Sequence, residues 1–135
     1  MLKQMWEKLD AHTVSAADGG ERAINVRNEW GGFSRRLSMP VFTGWQDHVA
    51  RQDGQTKVLV SDTSWSNKAG VNNQERWVDY SLQHGGEAAV FWIKAVDPTA
   101  SPRAVEWLDA DRVMIGPVVR EGSQAFVIVQ RQVAL

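Results

Sequence analysis

Two aspartates and two tryptophans offer the most direct chemistry in the chain. Asp47 and Asp62 stand with Trp45, and Trp65 lies in the segment S-D-T-S-W-S-N-K-A-G-V-N-N-Q-E-R-W-V-D-Y from Ser61 to Tyr80. Two neighbouring carboxylates can shift each other's pKa for acid–base work or bind a hard cation such as Mg2+. An indole face stacks on planar rings, and an amide such as that of Asn67 both donates and accepts at a polar edge. The same residues have plain structural uses. Asp62 can close an Asx turn, and Trp65 and Asn67 can belong to a solvated connection.

Two hairpins would position these groups. H-V-A-R-Q and Q-T-K-V-L-V flank Asp53-Gly54, a pair that supplies the positive φ a two-residue turn requires. The register then pairs Val49 with Val58, Asp47 with Val60 and Trp45 with Asp62, placing Trp45, Asp47 and Asp62 on one face and His48 on the other. I-N-V-R-N-E-W and F-S-R-R-L-S-M flank Gly31-Gly32 in the same way. That register pairs Trp30 with Phe33, Asn28 with Arg35, Val26 with Leu37 and Ile24 with Met39. Asn28 and Arg35 would thus lie among apolar pairs on an inward face, where a guanidinium needs a partner: a carboxylate, water reached by snorkelling, or an anionic or planar ligand. On the opposite face Arg27 would meet Arg36, a like-charge pair that calls for a nearby acid or a bound phosphate.

Other chemistry finds little footing. His12, His48 and His84 show no metal-ligand spacing, and there is no nucleophile elbow, P-loop or dinucleotide fingerprint. Ser61, Ser64 and Ser66 lack the strained turn that would make one of them a nucleophile. With no cysteine there is no disulfide and no thiolate ligand, which fits a reducing, cytoplasmic setting. Neither a catalytic residue nor a metal ligand nor a cofactor is expected.

The remaining elements follow from periodicity. Leu2, Met5, Trp6 and Leu9 predict an amphipathic helix over Leu2–Ala11, and Thr13–Glu21 reads as loop. Asn72 and Glu75 have the form of a capping box opening a helix near residues 73–84 that stops at Gly85. A-A-V-F-W-I-K-A-V, from Ala88, is apolar on both faces and predicts a central covered strand. Ala104–Leu108 is a short strand, and R-V-M-I-G-P-V-V-R pairs with Q-A-F-V-I-V-Q-R across Glu121-Gly122-Ser123, with Pro117 at an edge or a bend. The sum is an α+β fold: a mostly antiparallel, strongly curved sheet or small β-barrel of about eight strands with two helices.

At 135 residues the chain has the size of a single domain, residues 1–135, and its net charge of −1 leaves any anion binding to a local patch. No apolar run reaches the ~20 residues of a membrane span. Three functions compete. The leading one is a non-enzymatic module whose recess, built from Asn28, Arg35, Trp45, Asp47, Asp62, Trp65 and Asn67, binds a small molecule such as a nucleobase or nucleotide. The second is a protein-interaction or homodimer-forming domain anchored by exposed tryptophans. The third is a small acid–base or metal-assisted hydrolase using Asp47 and Asp62, weakened because His48 reaches Asp47 only across a bulge.

Overall fold

In a computed structural model, which describes residues 1–15 and 17–135, the chain runs α1 (Leu2–Lys8), β1 (Ala11–Val14), β2 (Glu21–Arg22), β3 (Gly31–Ser34), β4 (Met39–Trp45), a 3-10 turn (Gln46–His48), β5 (Val49–Gln52), β6 (Gln55–Asp62), α2 (Lys68–Gln83), β7 (Glu87–Ala95), β8 (Val105–Leu108), β9 (Arg112–Glu121), β10 (Gln124–Val129) and β11 (Arg131–Ala134). The apolar run of β7 forms the centre of the sheet, as its two-faced burial requires: Ala88, Ala89, Val90 and Phe91 are all fully buried. β7 pairs in parallel with β4 and antiparallel with β9. The hairpin β5–β6 and α2 together make the long connection that a parallel pair needs.

Alternation along the strands divides the core in two. Val41, Phe91, Ile93, Val113 and Ile115 face Met5 and Trp6 of α1 and Leu9 just beyond it. Phe42, Val58, Val90, Met114 and Val127 face Trp77 and Val78 of α2. Each fully buried side chain of this kind contributes about 1.5–3 kcal/mol. The fold is α+β, but the sheet has 11 strands in the order β2-β1-β3-β4-β7-β9-β10-β6-β5, with β11 on β9 and β8 on β7, and it is not closed into a barrel. Strands β1, β2 and β11 and most of β4 lie where no strand was expected, and the expected strand from Ile24 to Trp30 does not form. None of the described helices is long and apolar enough to cross a membrane.

The hairpin at Asp53-Gly54 forms in the expected register from Val49–Val58 to Gln52–Gln55, with both turn residues at positive φ. Before Val49 the chain winds into the 3-10 turn, so neither Asp47 and Val60 nor Trp45 and Asp62 pair; Trp45 ends β4 opposite Ile93. The other hairpin is corrected. Gly31 and Gly32 lie inside β3, which pairs Phe33 with Pro40 and Ser34 with Met39 around a turn at Arg35–Ser38. Gly32 is glycine for closeness rather than for a turn: a Cβ there would come within 2.6 Å of the His12 carbonyl oxygen. The pairs of Trp30 with Phe33 and of Asn28 with Arg35 are therefore absent, and Asn28 and Arg35 are both exposed.

Helix boundaries shift as well. α1 stops at Lys8, and Asp10 takes a positive φ before β1. α2 begins a turn early because Asn67 is its cap, its side-chain oxygen accepting from the Gly70 N–H at 3.2 Å. Glu75 does not reach back to Asn72 and instead accepts from the Ser61 hydroxyl and from Arg120.

Pro117 lies within β9 opposite Glu87, beside the point where β9 exchanges one neighbour for another. Arg112 to Ile115 pair with β11, and Val118 to Glu121 with β10. At the crossover Gly116 lets the backbones touch: a Cβ would sit 1.7 Å from the Ile128 carbonyl oxygen, a backbone atom that cannot swing aside. Gly116→Ala is accordingly expected to destabilise the protein by about 3 kcal/mol or to prevent folding, read by urea denaturation. Gly122→Ala, in the open β9–β10 turn at φ 62°, is the milder control, costing about 1 kcal/mol.

Candidate functional site

Three tryptophans that are distant in sequence meet where β3 begins, where β4 ends and where the chain enters α2. Trp30 is held first. The Asn73 side-chain oxygen accepts the N–H groups of Trp30 and Gly31 at 3.0 and 2.9 Å, and its amide nitrogen donates to the Gly31 carbonyl at 2.9 Å. The Trp30 indole lies against the backbone of α2 at Gly70, where a Cβ would intrude to 2.4 Å from the ring. Only glycine leaves room for an aromatic ring that close to a helix.

Trp65 is set by the turn that opens at Asp62. One Asp62 oxygen accepts from the Ser64 N–H at 2.9 Å and the Ser64 hydroxyl at 2.6 Å, and the other accepts from Gln124 at 3.2 Å. These bonds, that to the Ser64 hydroxyl above all, hold its carboxyl below the usual carboxylate range. Asp62 is thus the Asx-turn residue its sequence allowed. From this turn Trp65 meets Trp30 edge to face, centroids 6.3 Å apart, and stacks on His48 at 5.7 Å and 23°.

The 3-10 turn brings His48 and Asp47 to the same place despite their adjacency in sequence, with His48 Nε2 3.8 Å from an Asp47 oxygen. Asp47 takes a bidentate pair from Arg103 at 2.7 and 2.7 Å, and this guanidinium depresses its pKa. Arg103 also lies over the Trp45 ring at 5.1 Å. Burial lowers the pKa of His48, Asp47 opposing the shift and Arg103 adding to it. Its Nδ1 is buried and has no hydrogen-bond partner among the described residues.

These groups enclose a cavity of about 300 Å³ whose lining includes Arg27, Trp30, Trp45, His48, Trp65 and Arg103, with Asn67 beside them. Of the residues that sequence reasoning chose, Trp45, Trp65 and Asn67 come together here, and Asp47 stands behind Arg103. Asp62 is outside the lining and serves the turn. Asn28 is exposed in the turn preceding β3, and Arg35 is exposed and paired with Glu21 and, at 3.7 Å, with Asp10. Their placement follows from the hairpin that does not form. Trp30 and Arg103 were missed, and Arg27, expected to face Arg36 with an acid or a phosphate, was not placed in the recess. Arg103 joins Asp47 across 56 positions, a pairing no local pattern signals. His48 was assigned to the opposite face by strand alternation, which the 3-10 turn cancels.

Asp47 and Asp62 do not form a proton-sharing pair. Asp47 and Asp62 each have a lowered pKa and separate partners, whereas a carboxylate pair that shared a proton would raise one value. Among the described residues no group of three or more His, Asp or Glu side chains is poised to hold a metal ion.

His48 also imposes a pH dependence. Its folded pKa lies below the ordinary 6.5, so the unfolded chain binds more protons as pH falls from there toward the lowered value, and stability declines across that window. His48→Phe keeps a ring against Trp65 but cannot titrate. Thermal melts at pH values spanning the window are expected to show wild-type Tm falling with acidification and a flatter profile in the variant. Compared with known proteins, the chain matches no family model, and it is not significantly similar to any curated protein or solved structure.

Proposed function

We propose that the protein is a non-enzymatic binding module that takes a planar, polar ligand of the nucleobase or nucleotide class in the recess between Trp30, Trp45 and Trp65. One observation carries the reading: three indoles distant in sequence, Trp30, Trp45 and Trp65, line a single cavity together with His48 and Arg103. Indole faces supply sequence-tolerant stacking, and the Asn67 amide offers both a donor and an acceptor. The cavity volume lies at the lower end of small-molecule sites and suits one ring system. In this reading the chain is a single cytoplasmic domain whose sheet curves strongly enough to gather the three tryptophans. The contact of Val58 on β6 with Gly44 on β4, strands separated by three others in the sheet order, supports that curvature.

Self-association is a second reading, favoured by β8. This strand pairs with β7 alone and exposes Trp107 at 45%. Mass measured by light scattering across a concentration series separates it from ligand binding.

Thermal shift and tryptophan fluorescence against nucleobases, nucleosides and nucleotides test the main reading. A base-containing probe is expected to raise Tm in the wild type. Trp65→Ala is expected to weaken binding by about 1–3 kcal/mol, or roughly five- to 150-fold. Failure of every probe to stabilise the folded wild type would retire the recess as a nucleobase site.

A further inference from the structure

The lining of the recess is chemically one-sided. It contains two guanidinium groups and no carboxylate. The two are in different states. Arg103 is neutralised by its bidentate bond to Asp47 and has its flat face over Trp45. Arg27 has no carboxylate partner among the described residues. Its backbone N–H is held by the Asn25 side chain at 3.0 Å, which fixes the turn that presents it. The one acid in that turn, Glu29, is already committed, accepting from Arg22 at 2.7 and 2.6 Å and from the Asn25 N–H at 2.8 Å. Elsewhere in the molecule Arg22, Arg35, Arg112, Arg120 and Arg131 are each paired with a carboxylate. Arg36, Arg51 and Arg76 are not, but none of them lines this recess. His48 adds no positive charge near neutral pH, because its burial disfavours the protonated form.

Resting on the binding reading above, we propose that the recess selects planar anions: ring systems carrying a phosphate or carboxylate group that the Arg27 guanidinium receives while the ring meets Trp30 and Trp65. The guanidinium fork matches the paired oxygens of either group, and Arg27 lines the same cavity as the Trp30 and Trp65 rings, whose faces can stack on a flat ring. Arg103, with its donors turned to Asp47, orients Trp45 and leaves anion recognition to Arg27. A neutral ring of the same shape keeps the stacking and loses the ion pair, so the discrimination is carried by one side chain.

Matched probe pairs test this. Adenosine with adenosine 5′-monophosphate, and indole with indole-3-carboxylate, are titrated into the wild type and Arg27→Gln, following intrinsic fluorescence where the probe permits and calorimetry otherwise. The acid member of at least one pair is expected to bind about tenfold or more tightly than its neutral partner, with the ratio narrowing as salt is raised. Arg27→Gln, an exposed position whose substitution leaves Tm unchanged, is expected to bring the ratio close to one without weakening the neutral member. Preference for the phosphate alone, or for the carboxylate alone, identifies the source of the anion and supports the proposal in either case. Equal binding of both members by the wild type overturns the anion preference while the recess stands. An acid preference that survives in Arg27→Gln overturns the role of Arg27, and a folded wild type that binds no member overturns both the preference and the binding reading.

Discussion

A single buried amide ties the two halves of the architecture together. Asn73, 6% exposed in the middle of α2, accepts two backbone N–H groups from Trp30 and Gly31 and donates to the Gly31 carbonyl. Without it the entry to β3 would bury unpaired backbone groups beneath the helix, each a loss comparable to a broken hydrogen bond. One helical turn on, the Trp77 indole N–H donates to the Thr13 hydroxyl at 3.0 Å, so α2 also grips β1. These polar contacts are directional where apolar packing is not. They specify the position of the helix along the sheet, and that position decides where Trp30 stands.

The sheet contributes rigidity through β7, which is covered by α1 on one side and by α2 on the other. The recess forms at its margin, where β4 runs out and the chain changes direction twice: once through the 3-10 turn and once through the Asp62 turn. The strands behind it need only hold their register.

What could be read from the sequence was local. The hairpins at Asp53-Gly54 and Glu121-Gly122-Ser123 announce themselves because positive φ is a property of the turn alone. β7 is legible because burial on both faces leaves no polar alternation. Gly31-Gly32 misleads because glycine answers two needs, reversal of the chain and close approach of two backbones, and only tertiary structure distinguishes them. The register error that followed carried Asn28 and Arg35 into a core they do not enter. Asn67 and Asn72 present the same ambiguity for capping: the pattern with a glutamate three residues on was the wrong one, because Glu75 is engaged by Ser61 and Arg120. Trp45, Trp65 and Asn67 were found for their chemistry, although the hairpin thought to unite Trp45 with Asp62 does not extend that far.

The first turn of α2 belongs at once to the helix and to the wall of the recess. Asn67 caps it, and Gly70 is the surface on which Trp30 rests. Fraying of that turn therefore cannot remain a local event, since it removes the seat of one aromatic wall and loosens the chain that carries another. Order at the helix end and the placement of the Trp30 ring are two readouts of one equilibrium, so amide exchange at Gly70 and Val71 reports on the standing of that indole.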